Sequence, residues 1–354
     1  MRIRELLEIP GRFQPGPRNA ITDVAGVTCS HITITSPAEL EVPPACHDGH
    51  ERILTGLTLI SPCDGDIFKN PLPANIVAGN GFGELVGALQ VEELGEIESI
   101  IGLTNTLSVA AVLQGLVEHH APMLPDEYKS INIVVGETND GKLSDIKGCH
   151  VKPHHVAEAI SLLDEDVAEG GVGAGAGTVA FGYKGGIGTS SRVIPADISG
   201  EERDFTIGAL VQSNYGGNLT IYGQRIPKPP EPPSHENGSC MIVVITDAPL
   251  SSRQLKRLAK RALIGMTNTG SVMHNGSGDF AIAASNNPAN RRSRAGRGQN
   301  YYYLSDTQLN PFFEACADAV QEALYNSMTM AEGVGDFPGL SLIDYAGILP
   351  VKTQ

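Results

Sequence analysis

Apolar positions along the chain recur with two spacings, which divides it into interleaved strands and helices. Short runs rich in β-branched residues predict strands at 131–135 (INIVV), 178–181, 205–211, 219–222, 241–246 and 280–284. Helical spacing predicts helices at 106–119, 155–169, 252–264 and 311–332. In the third of these, Leu255, Leu258, Ala259, Ala262 and Leu263 share one face. Ser251 followed by Gln254 forms a capping-box signature at its start. The last helix reads Asn310 as cap, Pro311 in the first turn and Gly333 just past the end.

The pattern breaks at 226–238 (IPKPPEPPSHENG), where five prolines and little that could be buried predict an exposed, extended linker. Directly after it, 240–246 (CMIVVIT) is apolar at nearly every position, the mark of a strand covered on both faces. Gly238-Ser239 stands where the two meet.

That junction carries candidate chemistry. Glycine before serine permits backbone conformations closed to other residues. Under such strain the Ser239 hydroxyl can attack the Gly238 carbonyl, and hydrolysis of the resulting ester frees a new N-terminal serine. Its α-amine, with a reference pKa of ~7.7–8.0, can act as general base to its own hydroxyl. A core strand would hold that one residue in attack geometry. Read alone, Gly-Ser after a proline-rich segment is also an ordinary turn entering a strand.

Composition narrows the choice. The chain has 354 residues, 41% hydrophobic, with 41 glycines, no tryptophan and 5% aromatics, which favours close-packed layers of small residues. A net charge of −15 disfavours nucleic acid, because phosphate would be repelled, and weakly favours a substrate with a free amine. The N-terminus lacks a basic region followed by an apolar signal core, and no uncharged apolar run approaches the ~20 residues of a membrane span. Six scattered cysteines (Cys29, Cys46, Cys63, Cys149, Cys240, Cys316) read as reduced thiols, so the cytoplasm is the expected location.

Rival signals are weaker. The run from Gly173 to Gly188 resembles a phosphate cradle but lacks the Lys-Ser/Thr ending of a P-loop, and close sheet approach explains it better. The histidine groups His47/His50, His119/His120 and His150/His154/His155 lack a metal-ligand spacing, so surface or helix-end positions are expected and no metal or cofactor is called for. The basic stretch 291–297 reads as a solvated loop or a subunit contact.

Several blocks, in order, resemble the L-aminopeptidase/D-esterase (DmpA-type) and β-aminopeptidase family. They begin at Gly16 (GPRNAITDVAGV), Gly79 (GNGFGEL), Leu103 (LTNTLSV), Val135 (VGETNDG), Gly173 (GAGAGT) and Val211 (VQSN), followed by Gly238-Ser239, Thr246 (TDAPL) and Gly276 (GSGD). The resemblance implies an α+β protein, a four-layer αββα sandwich of the N-terminal-nucleophile type. It implies one domain cleaved into 1–238 and 239–354, the two chains staying together in a homo-oligomer. It implies hydrolysis of N-terminal residues from short peptides, amides or esters. Residue by residue, it assigns Ser239 as nucleophile, Ser277 and Asp279 as a pair that orients and tunes it, Asn214 as oxyanion donor and Glu137 as neighbour of the substrate amine. Some members place Glu where this chain has Asp279, and Asn139 falls where relatives carry an aromatic residue. Two other readings stay open: an acyltransferase resembling ornithine acetyltransferase, which usually uses threonine, and a non-catalytic scaffold of the same fold.

Overall fold

A strand such as 240–246 needs cover on both faces, and its neighbours show how the chain supplies it. The computed structural model describes residues 1–36, 52–229, 238–295 and 298–352. In chain order the main strands are β1 (Thr28–Ser36), β2 (Ile53–Ser61), β3 (Leu72–Gly81), β4 (Leu85–Val86), β5 (Glu96–Ile97), β6 (Ile101–Asn105) and β7 (Val134–Thr138). They continue with β8 (Gly186–Ile194), β9 (Phe205–Asn214), β10 (Gly238–Thr246) and β11 (Ser277–Ser285). One sheet has the order β1-β2-β6-β7-β4 and the other β8-β9-β10-β11-β3-β5.

Helices α1 (Val109–His120) and α2 (Pro153–Ser161) pack on the first sheet, and α3 (Ser252–Asn268) and α4 (Asn310–Thr329) on the second. Three apolar layers hold the stack together. Leu59, Val112, Leu116 and Val156 join the first sheet to its helices. Leu103, Val134, Leu210, Met241 and Val243 fill the space between the sheets. Ile242, Val244, Leu258, Ala262, Phe312 and Ala319 join the second sheet to α3 and α4. The result is the αββα sandwich that the resemblance implies. Strand period explains the apolar run in β10: Cys240, Ile242 and Val244 face the helices, while Met241, Val243 and Ile245 face the other sheet.

The glycine run serves packing. Gly173–Gly175 is a short turn lodged between the two sheets. A Cβ on Gly175 would lie 2.5 Å from the Ile187 nitrogen. Gly188 instead admits a helix, since a Cβ there would lie 2.0 Å from the Ala323 carbonyl oxygen in α4.

Local signals held where the element was local. Ser251 Oγ accepts from Gln254 N, and Gln254 Oε1 accepts from Ser251 N, which completes the capping box. Others moved. The helix expected over 155–169 runs only over Pro153–Ser161, because Cys29 and Asp164 exchange backbone hydrogen bonds that carry the chain out of it. The last helix takes Leu309, not Asn310, as its cap residue and stops at Thr329, short of Gly333. Strand 178–181 shrinks to Val179–Ala180, and the strand expected at 131–135 is shifted to Val134–Thr138.

The predicted exposed linker is anchored at its start: Ile226 is buried and its N–H donates to the Leu219 carbonyl. Most of that linker (230–237), Cys46 and the His47/His50 pair lie outside the described residues. The basic stretch is neither free nor simply solvated over its described part, 291–295, and 296–297 lie outside the described residues. Arg292 pairs with Glu96, Arg294 pairs with Glu96 and Glu98 and lies over the Phe68 ring, and Arg291 donates to the Asp64 carbonyl. No helix among the described residues is long and apolar enough to cross a membrane.

Candidate active site

The start of β10 lies at the edge of the space between the sheets. Antiparallel pairing with β9 sets Ser239 opposite Asn214. Parallel pairing with β11 sets Gly238 opposite Ser277, Ser239 opposite Gly278 and Cys240 opposite Asp279. Because side chains alternate along a strand, Ser239 shares the inter-sheet face with Met241, and Asn214 shares it with Gln212. A cavity of about 790 Å³ opens there, lined by Ser239, Asn214, Glu137, Thr106, Phe82 and Lys142 among others.

Ser239 is 3% exposed, and its Oγ makes no hydrogen bond with the described residues. A buried hydroxyl without a partner is costly for a purely structural role. Gly238 precedes it in extended strand geometry and is absent from the residues with positive φ. The expected backbone strain at this glycine is therefore not what requires it. Space does: a Cβ on Gly238 would lie 2.5 Å from both the Asn214 carbonyl oxygen and the Tyr215 Cα.

Asn214 is locked by two bonds. Its Oδ1 accepts from Val179 N at 2.9 Å, and its Nδ2 donates to the Asn139 carbonyl at 2.9 Å. Turning the amide over would set oxygen against oxygen and N–H against N–H, so the orientation is fixed. One Nδ2 hydrogen remains for a group in the cavity.

Glu137, at the end of β7, is 3% exposed. Its Oε1 accepts from Glu84 N at 3.1 Å and its Oε2 from the Thr106 hydroxyl. Burial raises its pKa, and these two donors partly oppose that. A cation entering the cavity would favour the carboxylate.

Ser277 and Asp279 sit elsewhere. Two residues apart, they share the helix-facing side of β11, with Cys240 beside Asp279, and neither lines the cavity. Ser277 Oγ donates to Asp279 Oδ1 at 2.9 Å, while Oδ2 has no partner among the described residues. Burial pushes the Asp279 carboxyl up to about 6, and the Ser277 hydroxyl holds it down somewhat. The pair is thus next to the Gly238-Ser239 backbone, in register, and away from the cavity that holds Ser239.

The sequence did not single out Thr106, Glu84 or Lys142, although the first two fall inside the blocks at Leu103 and Gly79. Among the described histidines, His120 Nε2 accepts from Ile100 N, His150 pairs with Asp145, and His154 packs on His155.

A strand that opens on a buried serine at the mouth of an αββα sandwich defines the class of N-terminal-nucleophile hydrolases. The comparisons with known proteins place the chain within it. The family model of peptidase family S58 matches residues 19–341. The beta-peptidyl aminopeptidase BapA of Sphingosinicella microcystinivorans is 35% identical over 359 residues, covering 95% of this chain and 87% of that protein. A beta-aminopeptidase from Burkholderia sp. superposes with a TM-score of 0.86 at 34% identity over 98% of both chains. The L-aminopeptidase D-Ala-esterase/amidase from Ochrobactrum anthropi, a serine aminopeptidase described as a variant of the Ntn hydrolase fold, gives 0.84 at 32%, covering 98% of this chain and 99% of that one. The chain belongs to peptidase family S58 and is an aminopeptidase.

Proposed function

We propose that the chain cleaves itself between Gly238 and Ser239 and then releases N-terminal residues from short peptides, amides or esters through an acyl-enzyme on Ser239. The observation that carries this reading is the buried Oγ of Ser239, unpartnered among the described residues, at the head of a core strand and in a residue that lines the cavity. In the first stage Oγ adds to the Gly238 carbonyl, the C–N bond breaks, and the Ser239 nitrogen becomes an amine. One water then hydrolyses the ester, leaving a Gly238 carboxylate and a free Ser239 hydroxyl.

In the second stage that amine takes the Oγ proton as Oγ attacks the substrate carbonyl. The proton passes to the leaving amine or alcohol, and water releases the amino acid. Asn214 donates its remaining N–H to the oxyanion, and Glu137 receives the substrate ammonium. Strands β10 and β11 would come from the second chain and their partners β9 and β3 from the first. Their pairing would keep the two pieces, 1–238 and 239–354, in one αββα body. A cytoplasmic location and a homo-oligomeric assembly belong to the same proposal. They rest on the cysteine usage and on the family resemblance.

A denaturing gel with mass spectrometry tests the first stage. Purified protein is expected to give one fragment ending at Gly238 and one beginning at Ser239. A lasting single species of 37.3 kDa that hydrolyses amides would overturn self-processing.

Asp279 enters as a positioning residue, acting through the charge it holds one strand away, a spacing of ~4.8 Å. Above about pH 6 it is an anion, and an anion nearby favours the protonated amine and so raises the amine's pKa. Activity requires the neutral amine, so kcat/KM rises with pH through that ionisation. Asp279→Asn is expected to move this acidic limb down by about one pH unit. The pH profile of the cleaved variant checks it, and an unmoved or raised limb removes Asp279 from the mechanism.

A further inference from the structure

One wall of the cavity is the loop that follows β7, and Lys142 and Lys147 line it. The loop is held on both sides of Lys142. Leu143 N and Ser144 N both donate to the Asp140 carbonyl at 3.0 Å, and Gly141 N donates to Asn139 Oδ1 at 2.9 Å. Asp145 N donates to the Arg52 carbonyl, and Leu54 N to Ser144 Oγ, which ties the loop to the start of β2. The Asp140 carboxylate beneath is buried and takes the Thr55 hydroxyl. A residue fixed in this way presents its side chain from a preorganised backbone.

Lys142 itself is half-buried, and no described carboxylate pairs with it. Its burial lowers its pKa, with no neighbouring charge opposing the shift. Of the acids nearby, Glu137 is engaged by Glu84 N and Thr106 and Asp145 by His150, and the Glu84 carboxylate, exposed at the rim of the same cavity, forms no ion pair with Lys142. The protein as a whole carries −15, so its field repels an anionic ligand at range. A cation ion-paired to no described carboxylate, in the same cavity as the candidate nucleophile, is the local exception.

We propose that Lys142 binds a carboxylate of the substrate, so that preferred substrates are zwitterions whose amine meets Glu137 and whose carboxylate meets Lys142. This rests on reading the cavity as the aminopeptidase site. Short peptides with a free C-terminus fit it, as do residues with an acidic side chain. A cavity of about 790 Å³ has room for either.

The test compares kcat/KM for two pairs of substrates on wild type, Lys142→Met and Lys142→Arg, each checked for cleavage state and thermal midpoint. The first pair is alanyl-alanine against alanyl-alaninamide, run also with a β-alanyl first residue. The second is aspartyl p-nitroanilide against alanyl p-nitroanilide. Wild type is expected to prefer the carboxylated member in one pair by about tenfold or more, the effect of one charge-assisted hydrogen bond. Lys142→Met should abolish that preference and Lys142→Arg restore most of it. A change confined to the first pair places the carboxylate on the leaving peptide, and one confined to the second places it on the acyl residue. Uncharged amides turned over with no preference in either pair, or a preference that Lys142→Met leaves intact, would overturn the proposal. If wild type turns over none of these substrates, the reading of the cavity fails first and the proposal falls with it.

Discussion

Ser239→Ala is expected to remain one chain of 37.3 kDa and to release no amino acid from amides or esters above background. The substitution removes the nucleophile of both stages, so self-cleavage and turnover disappear together. It should do so without unfolding the protein. Ser239 Oγ makes no hydrogen bond with the described residues, and replacing it by hydrogen leaves no donor or acceptor orphaned. The backbone of β10 keeps its pairing with β9 and β11. Thermal midpoint and exclusion volume should therefore match wild type, which separates lost chemistry from lost structure. Ser239→Cys refines the test, since a thiol can process slowly and shift the balance between esters and amides. Mapping the peptide labelled by a slow acylating substrate settles the assignment. A label on Ser277, with Ser239 unmodified and dispensable, would show that the nucleophile is the other serine.

The elements of the fold were unequally legible in the sequence. The β10 strand announced itself because seven consecutive residues, 240–246, are nearly all apolar and follow a proline-rich segment. The Ser251 capping box was equally plain, since all its partners lie within four residues. By contrast β1 (TCSHITITS) and β8 (GIGTSSRVI) carry hydroxyls and glycine where a strand pattern expects apolar side chains. Those hydroxyls are spent on tertiary partners: Thr33 Oγ1 accepts from Gly173 N, and Thr189 Oγ1 donates to the Ala209 carbonyl. Periodicity cannot see such partners.

The site divides in the same way. Family blocks pointed to Ser239, Asn214 and Glu137, and sheet packing brings all three to one cavity. They did not reveal that Ser277 and Asp279 face the helices, because that depends on parallel register between β10 and β11. Nor did they single out Lys142, which joins Ser239 at one cavity only once the loop after β7 is tied to the start of β2 by Asp145 N and Ser144 Oγ and to β9 by the Asn139 carbonyl. In the sequence alone, the glycine at 238 suggests backbone strain. It proves to be a matter of room beside Tyr215, a neighbour contributed by another strand's end.

Asn214→Asp should separate oxyanion stabilisation from structure. Asn214 does two jobs through opposite ends of one carboxamide. Its Oδ1 satisfies the buried Val179 N–H, and its Nδ2 holds the Asn139 carbonyl and has one hydrogen to spare. Alanine would remove both, and the orphaned Val179 N–H alone would cost about 1–3 kcal/mol of stability. Loss of activity in Asn214→Ala would then be ambiguous. Aspartate keeps the shape and the acceptor for Val179 but offers oxygen where the donor stood. It also sets a negative charge near the place where the tetrahedral oxygen becomes negative. A preorganised donor of this kind is worth ~3–4 kcal/mol of barrier, so kcat should fall by about 10²–10³-fold. KM should change little, because the ground-state carbonyl asks less of the donor than the oxyanion does. The Asn139 carbonyl loses its partner too, so the thermal midpoint should drop modestly and must be measured alongside. The comparison is made on chains already cleaved, since processing at Gly238 passes through an oxyanion of its own and should slow as well. Stopped-flow acylation with an amino-acid nitroanilide reads the step directly. Wild-type acylation in cleaved Asn214→Asp would leave Asn214 a structural clamp between β9, Val179 and Asn139, and the oxyanion donor would have to be sought among the backbone amides lining the cavity.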